Sequence, residues 1–100
     1  MTSQVYSIEE LETRRKRLIY RSWHRGTREM DLILGAFADS HVSGFSEQDL
    51  TAYEALLEQN DPDLYDWITG KEPPPAEVRS SVFERLKELI VTQNKTPTSS

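Results

Sequence analysis

The segment from Arg25 to Glu29 places an arginine, a glycine and a glutamate within five residues, and these residue types are suited to binding a protein partner. A guanidinium presents a rigid fork to carboxylates and phosphates, and a glycine allows another backbone to approach closely. The same residues also suit a helix–turn–helix corner. Arg25 would lie at the negative end of one helix, Gly26 would supply a left-handed stop, and Glu29 would lie in the first turn of the next helix. From the residues alone, the corner is explained without a binding role.

Arginines recur before this corner at helical spacing. At ~100° per residue, four of them fall within about 80° of one another: Arg14, Arg17, Arg21 and Arg25. This arginine stripe is either a solvated helix face or a docking surface for an acidic or carboxylate-rich partner, and the spacing by itself favours the solvated face. Arg15 projects among apolar positions, where we expect its stem to cover them or its head to pair with an acid elsewhere in the chain.

The remaining polar residues form no recognisable catalytic or metal-binding arrangement. The chain has no cysteine, which excludes disulfides, cysteine-ligated metals and thiol nucleophiles. Its two histidines, His24 and His41, lack ligand spacing, and there is no glycine-rich phosphate loop. The sequence therefore argues against a metal site and against nucleophilic catalysis.

Charge is distributed unevenly along the 100 residues, whose formal net charge is −5. Residues 1–28 hold 7 of the 12 basic residues, whereas the stretch from Glu29 to Gly70 holds 10 acidic residues and no Lys or Arg. An acidic body this close to the basic helix repels phosphates over roughly a Debye length, about 8 Å at physiological salt. We therefore expect a protein partner rather than nucleic acid.

The elements that must position these residues are predicted to be helices in a single domain. Apolar residues recur at helical spacing, and no strand-length run alternates apolar with polar residues. The fold class is all-α, a small five-helix bundle over residues 7–93, with a flexible N-terminus (1–6) and a disordered tail (94–100). No apolar stretch is long enough to cross a bilayer, and no signal-peptide core is present, so we expect no membrane insertion and a cytoplasmic protein.

Capping signals place the ends of these helices. Ser7 with Glu10 and Ser46 with Asp49 match the capping-box pattern, and Thr27 is a suitable cap for the second helix. The predicted helices run from about residue 7 to 24, 28 to 40, 46 to 57, 61 to 70 and 76 to 93. In the fourth of them, Asp61 is expected to cap the helix before proline, and Trp67 is expected to lie in the core.

Two segments resemble a known family. Arg25-Gly26-x-x-Glu29, followed by Met30-Asp31, resembles the RGxxE signature of the SdhE family, whose mitochondrial members are called succinate dehydrogenase assembly factor 2. Asp61-Pro-Asp-Leu-Tyr-Asp-Trp67 resembles that family's second recurrent block. The resemblance runs from about Arg14 to Pro75 and fits the family's five-helix fold. His24 departs from it, because many relatives carry a second arginine there, which puts in doubt any role assigned to an arginine pair.

The resemblance implies a function. SdhE proteins bind the flavoprotein subunit of succinate dehydrogenase, and in bacteria also that of fumarate reductase, and promote covalent attachment of FAD. The flavoprotein largely catalyses that reaction itself, so the resemblance implies an assembly factor, not an enzyme, with no tightly bound cofactor. The absence of a transit-like extension ahead of the first helix favours a bacterial protein, which we expect to be a cytoplasmic monomer. The partner-binding residues are expected to be Arg25, Gly26 and Glu29, with Arg14, Arg17 and Arg21 extending the docking face.

Two other classes remain open from the sequence. One is a small helical regulatory module, such as an antitoxin-like or cytoskeleton-interacting protein. The other is a nucleic-acid-binding helical domain that uses the helix before Arg28. Recovery of a flavoprotein rather than a toxin or filament protein from a lysate separates assembly from regulation, and a steep salt dependence of DNA binding would indicate the third class.

Overall fold

Five α-helices form the part of the chain that the computed structural model describes, which is the backbone of residues 8–94 and the side chains of residues 8–90. No β-strand occurs within residues 8–94, so the all-α prediction is confirmed. A single 3₁₀ turn, Val42–Gly44, connects the second and third helices. The helices are α1 (Ile8–Trp23), α2 (Arg28–His41), α3 (Glu47–Leu57), α4 (Asp61–Thr69) and α5 (Ser81–Asn94).

Local capping chemistry begins α2 and α3 where the sequence indicates. The Thr27 hydroxyl accepts a hydrogen bond from the Met30 amide, which is one of the donors that an α-helix leaves unsatisfied at its start. Ser46 and Asp49 form both halves of a capping box, with amide-to-side-chain distances of 3.1 and 3.3 Å. Gly70 ends α4 in the left-handed conformation, with φ +84°.

Two predicted helix starts are wrong. α5 begins at Ser81 and not near residue 76, because the Ser80 hydroxyl accepts from the Phe83 amide at 3.0 Å and caps the helix there. In α4 the cap is Asn60, not Asp61, and its side chain accepts from the Asp63 amide at 2.9 Å. Asp61 thus becomes the first helical residue, and its carboxylate is released for another contact.

The predictions for the chain ends mostly fall outside the part of the chain that the structure describes. Ser7, predicted to begin the first helix, lies there, as do residues 1–6 and 95–100, which were predicted to be flexible. Asn94, which the sequence assigned to the tail, is the last residue of α5.

The core lies between α2, α3 and α5, and aromatic rings fill its centre. Phe37 and Tyr53 lie with ring centroids 5.6 Å apart, and Phe45 packs against both at 6.1 and 5.9 Å. α4 covers one end of this core with the fully buried residues Leu64 and Ile68. Trp67 is half-buried at the margin, so its predicted core placement is only partly right.

Two buried hydroxyl groups, one on α1 and one on α3, connect α1, α2 and α3. The hydroxyls of Ser22 and Tyr53 lie 2.6 Å apart, and Ser22 also donates to the Leu18 carbonyl at 2.7 Å. Tyr53 additionally reaches the Leu34 carbonyl of α2, 3.4 Å away. Because a buried polar group without a partner is costly, these bonds make the positions of α1, α2 and α3 interdependent.

α1 and α2 cross closely because Gly35 has no side chain. The indole of Trp23 lies against the backbone of Gly35, where an added Cβ would overlap the ring. The indole Nε1 donates to Asp39 at 3.2 Å, which fixes the ring across α2. The sequence analysis did not single out Gly35.

Gly35→Ala is expected to destabilise the protein, although alanine favours a helix by about 1 kcal/mol over glycine. Displacing a packed indole costs about 1–3 kcal/mol, so we expect a lower melting temperature and a red shift of tryptophan emission. Gly44→Ala is the control, because an added Cβ there meets nothing within 4 Å. A melting temperature for Gly35→Ala equal to or above that of the parent would contradict this packing.

The buried phenol predicts a loss of stability at alkaline pH. Burial raises the pKa of Tyr53 from 10.0 to about 12. The folded protein therefore keeps this proton to higher pH than the unfolded chain, so the stabilisation is fully present below pH 10.0 and is lost between pH 10.0 and about 12. A pKa difference of about 2 corresponds to about 2–3 kcal/mol.

Chemical unfolding of the parent and of Tyr53→Phe between pH 8 and about 12 tests this expectation. Below pH 10.0 the variant is less stable by about 1 kcal/mol, which is the loss of one hydrogen bond. As pH rises the gap should close and then reverse, because only the parent loses the tyrosine contribution of about 2–3 kcal/mol. Parallel pH profiles for the two proteins would show that Tyr53 is not responsible.

Candidate functional site at the α1–α2 corner

The turn between α1 and α2 is held by a carboxylate from the first turn of α2. Asp31 accepts hydrogen bonds from the backbone amides of Arg25, at 2.5 Å, and Gly26, at 3.3 Å. Gly26 has φ +118°, so the predicted positive φ is confirmed. Its exposed backbone faces open space, since an added Cβ would meet nothing within 4 Å.

The Arg25 side chain leaves this corner and enters the connection between α3 and α4. Its Nη1 donates to the Leu57 carbonyl and its Nη2 to the Gln59 carbonyl, both at 2.6 Å. Its Nε donates to Asp61 Oδ1 at 2.9 Å, and Nη2 lies 2.8 Å from the same oxygen. The guanidinium thus satisfies carbonyls that the end of α3 leaves without helical donors.

A residue that binds a partner at this corner would be expected to be exposed, but Arg25 is mostly buried. Only 10% of its side chain and 15% of that of Asp61 are exposed. The physical reason is that Arg25 meets acceptors more than 30 residues away in the sequence, which local spacing does not reveal. Its role in binding a partner stays a prediction.

Glu29 lies on the exposed side of the corner, as expected. It makes no ion pair or side-chain hydrogen bond with another residue in the described part of the chain, whereas Oδ1 of the nearby Asp61 accepts from Arg25. Tyr65, on α4, is 37% exposed on the other side of a shallow depression of about 250 Å³. The depression is lined by Thr27, Glu29, Met30, Asp61, Pro62 and Tyr65.

The rest of the arginine stripe faces the acids of α3. Arg14 forms a two-pronged pair with Glu54, with N–O distances of 2.9 and 3.1 Å, and Arg21 pairs with Glu58 at 3.2 Å. Arg17 is exposed. The stripe is therefore mainly an intramolecular ladder that aligns α1 with α3, which neither interpretation of its spacing anticipated. A further role of Arg14, Arg17 and Arg21 in docking stays a prediction.

Arg15 uses a backbone acceptor instead of an acid of the body. Its Nη2 donates to the Phe45 carbonyl at 2.9 Å, and its Nη1 lies 3.3 Å from Glu12 on the same helix. The predicted pairing with a distant acid is therefore not observed.

The corner lacks the groups that hold a metal. Among residues 8–94, no group of three or more His, Asp or Glu side chains is arranged to bind an ion. His24 stacks on Tyr20, with ring centroids 4.0 Å apart, and His41 stacks on Phe37 at 4.4 Å. None of the helices described here is long and apolar enough to cross a membrane. The corner offers hydrogen-bonding and apolar contacts to a macromolecule.

Comparison with known families agrees with this geometry. The model of a family described as "Flavinator of succinate dehydrogenase" matches residues 16–90. The chain belongs to this family. The matched region contains the α1–α2 corner and the whole of α4, so the flavinator family includes both segments whose resemblance the sequence indicated. Arg14 lies outside the matched region.

Individual relatives support the same assignment. The chain is 38% identical over 80 residues to the FAD assembly factor SdhE of Acetobacter pasteurianus, covering 80% of this chain and 73% of that protein. It is 42% identical over 80 residues to mitochondrial succinate dehydrogenase assembly factor 2 of Dictyostelium discoideum, covering 80% of this chain and 57% of that protein. It is 42% identical over 84 residues to the Drosophila sechellia assembly factor 2-A, covering 82% and 52%. The chain thus spans little more than half of these mitochondrial relatives, and all three flavinator relatives are named as assembly factors rather than enzymes.

Sequence reasoning missed two acids at this corner. Asp31 follows the RGxxE motif, and its carboxylate holds the turn by accepting from the Arg25 amide. Asp61 was assigned to a helix cap, and it pairs with Arg25 instead. The signal for both was their position inside the two segments that resemble the flavinator family.

Arg25→Ala is expected to destabilise the protein by about 2–4 kcal/mol, because it leaves Asp61 and two carbonyls without their donor in a mostly dry site. A helix-dipole contribution alone would be only ~0.3–1 kcal/mol. Arg21→Ala, in the last turn of α1, is the matched control, since 41% of Arg21 and 69% of Glu58 are exposed, and we expect it to cost under about 1 kcal/mol. Urea unfolding measures both, and equal losses would show that Arg25 is no better anchored than Arg21.

Proposed function

We propose that this protein binds the flavoprotein subunit of succinate dehydrogenase and promotes the covalent attachment of FAD to it. One observation supports this most directly: the two segments that resemble SdhE proteins form one continuous surface. Arg25 of the first segment pairs with Asp61 of the second. Glu29 and Tyr65 then line the same depression.

The proposed role is positioning. A flavin and a histidine of the flavoprotein must meet in a narrow range of geometries, and holding them there removes much of the entropic barrier. The corner is suited to holding a protein surface because it combines a bare backbone at Gly26, a carboxylate at Glu29 and an aromatic ring at Tyr65. The assembly factor itself contributes no nucleophile and binds no cofactor tightly; it acts on the FAD of its partner.

The proposal includes fumarate reductase as a second target and a bacterial cytoplasmic setting for a monomeric factor. The match to a bacterial relative, the FAD assembly factor SdhE of Acetobacter pasteurianus, supports the bacterial setting. Flavin fluorescence of the two flavoproteins from cells with and without this gene tests both targets.

Substitutions at Gly26 test the docking surface. At φ +118° any side chain is strained, which costs roughly 1–2 kcal/mol for alanine and arginine alike. An added Cβ meets nothing within 4 Å in the described part of the protein, so we expect both variants to show the same fall in melting temperature. Bulk matters only if a partner approaches this backbone. We therefore expect Gly26→Arg to abolish binding of the flavoprotein and its FAD fluorescence, and Gly26→Ala to lose only part of each.

The control for bulk and charge is Gly44→Arg. Gly44 is exposed, has open space around it and lies in the 3₁₀ turn at the far end of α2. The Gly44→Arg substitution should leave the affinity for the flavoprotein unchanged. Equal affinities for Gly26→Ala and Gly26→Arg, or an affinity loss that follows the unfolded fraction, would reduce Gly26 to a helix stop and remove the corner from the docking surface.

A further inference from the structure

Arg25 has little capacity left to contact a partner. Its three guanidinium nitrogens already donate to the Leu57 carbonyl, the Gln59 carbonyl and the Asp61 carboxylate. Its side chain is 10% exposed. A direct contact with another protein would require breaking charge-assisted hydrogen bonds, which are the stronger kind of hydrogen bond in proteins.

The same residue is tied to α2 through its backbone. The Arg25 amide donates to Asp31, and the next amide, of Gly26, donates to the same carboxylate oxygen. One residue therefore connects the end of α1 and the start of α2 with the end of α3 and the start of α4. We call these contacts the Arg25 clamp.

The clamp lies beneath the two exposed groups of the corner. Glu29 follows Thr27 in the first turn of α2, and Tyr65 lies one turn after Asp61 on α4. Both residues line the depression that has Asp61 in its wall. The separation of Glu29 and Tyr65 therefore depends on how α2 and α4 are held together, and the Arg25–Asp61 pair holds them.

We propose that Arg25 is a positioning residue, which fixes Glu29 and Tyr65 relative to each other and does not itself contact the partner. This inference rests on the proposed function, because it concerns the surface that binds the flavoprotein. Preorganisation of this kind raises affinity by reducing the ordering that binding must impose. The removal of Arg25 therefore weakens binding through Glu29 and Tyr65, and its effect depends on their presence.

A double-mutant cycle measured on flavoprotein affinity tests this dependence. We expect Arg25→Gln to weaken binding about tenfold in the parent but only about twofold to threefold in the Glu29→Gln background, because residues that act as one unit are not additive. Arg25→Lys retains the charge beside Asp61 and should recover part of the affinity. The matched control is Arg79→Gln, an exposed arginine after the proline run, which should have no effect in either background. All measurements are made well below each variant's melting temperature. If Arg25→Gln does not fold, Arg25→Lys replaces it in the cycle.

Amide hydrogen exchange of the free protein supplies a second readout. In Arg25→Lys, the amides of residues 25 and 26 should exchange about tenfold faster than in the parent, while core amides of α5 remain protected, since the loss is local. If Arg25→Gln reduces the affinity by the same factor in the parent and in the Glu29→Gln background, the inference is overturned and Arg25 is a partner contact. Unchanged exchange at residues 25 and 26 would also overturn it. If the parent retains no flavoprotein at all, the proposed function fails, and the exchange measurement still decides whether Arg25 holds the corner.

Discussion

The packing of α4 against the α1–α2 corner depends on one mostly buried ion pair, Arg25 with Asp61. The last carbonyl oxygens of a helix have no donors within the helix. The Arg25 guanidinium donates to the Leu57 carbonyl at the end of α3 and also pairs with Asp61 in the first turn of α4. Buried charges are stable only when their partners are complete. The corner therefore tolerates little variation at either residue, even though both belong to segments that look like ordinary turn and cap sequences.

The uneven charge distribution of the sequence has an internal explanation. Basic residues on α1 and in the turn after it pair with acids on α3, just after α3 and on α4: Arg14 with Glu54, Arg21 with Glu58 and Arg25 with Asp61. An exposed ion pair contributes little free energy, but a shift of α1 along α3 would break the pairs of Arg14 and Arg21 together. The ion pairs of the arginine stripe therefore favour one alignment of α1 on α3, whereas Glu29 makes no ion pair within the described part of the chain.

How well the sequence predicts a structural feature depends on how far apart in the chain the interacting residues lie. Thr27, Ser46 and Gly26 act on neighbours within three or four residues, and their roles were predictable from local pattern. Asn60 and Ser80 are equally local, but other suitable caps stood beside them, so the helix starts at α4 and α5 were misplaced. The burial of Arg25 and the close approach at Gly35 depend on residues far away in the chain or on the crossing of two helices, and no local pattern encodes them. Family resemblance located the right segments without revealing how they meet.

The packing of Trp23 against Gly35 gives the protein an intrinsic fluorescent probe. This indole lies between α1 and α2, a few residues before the corner, with its N–H bonded to Asp39. The other tryptophan, Trp67, lies on α4 across the corner. Trp23 therefore reports on the packing of α1 against α2 and Trp67 reports on α4, and single-tryptophan versions of the chain would separate the two signals without any added label.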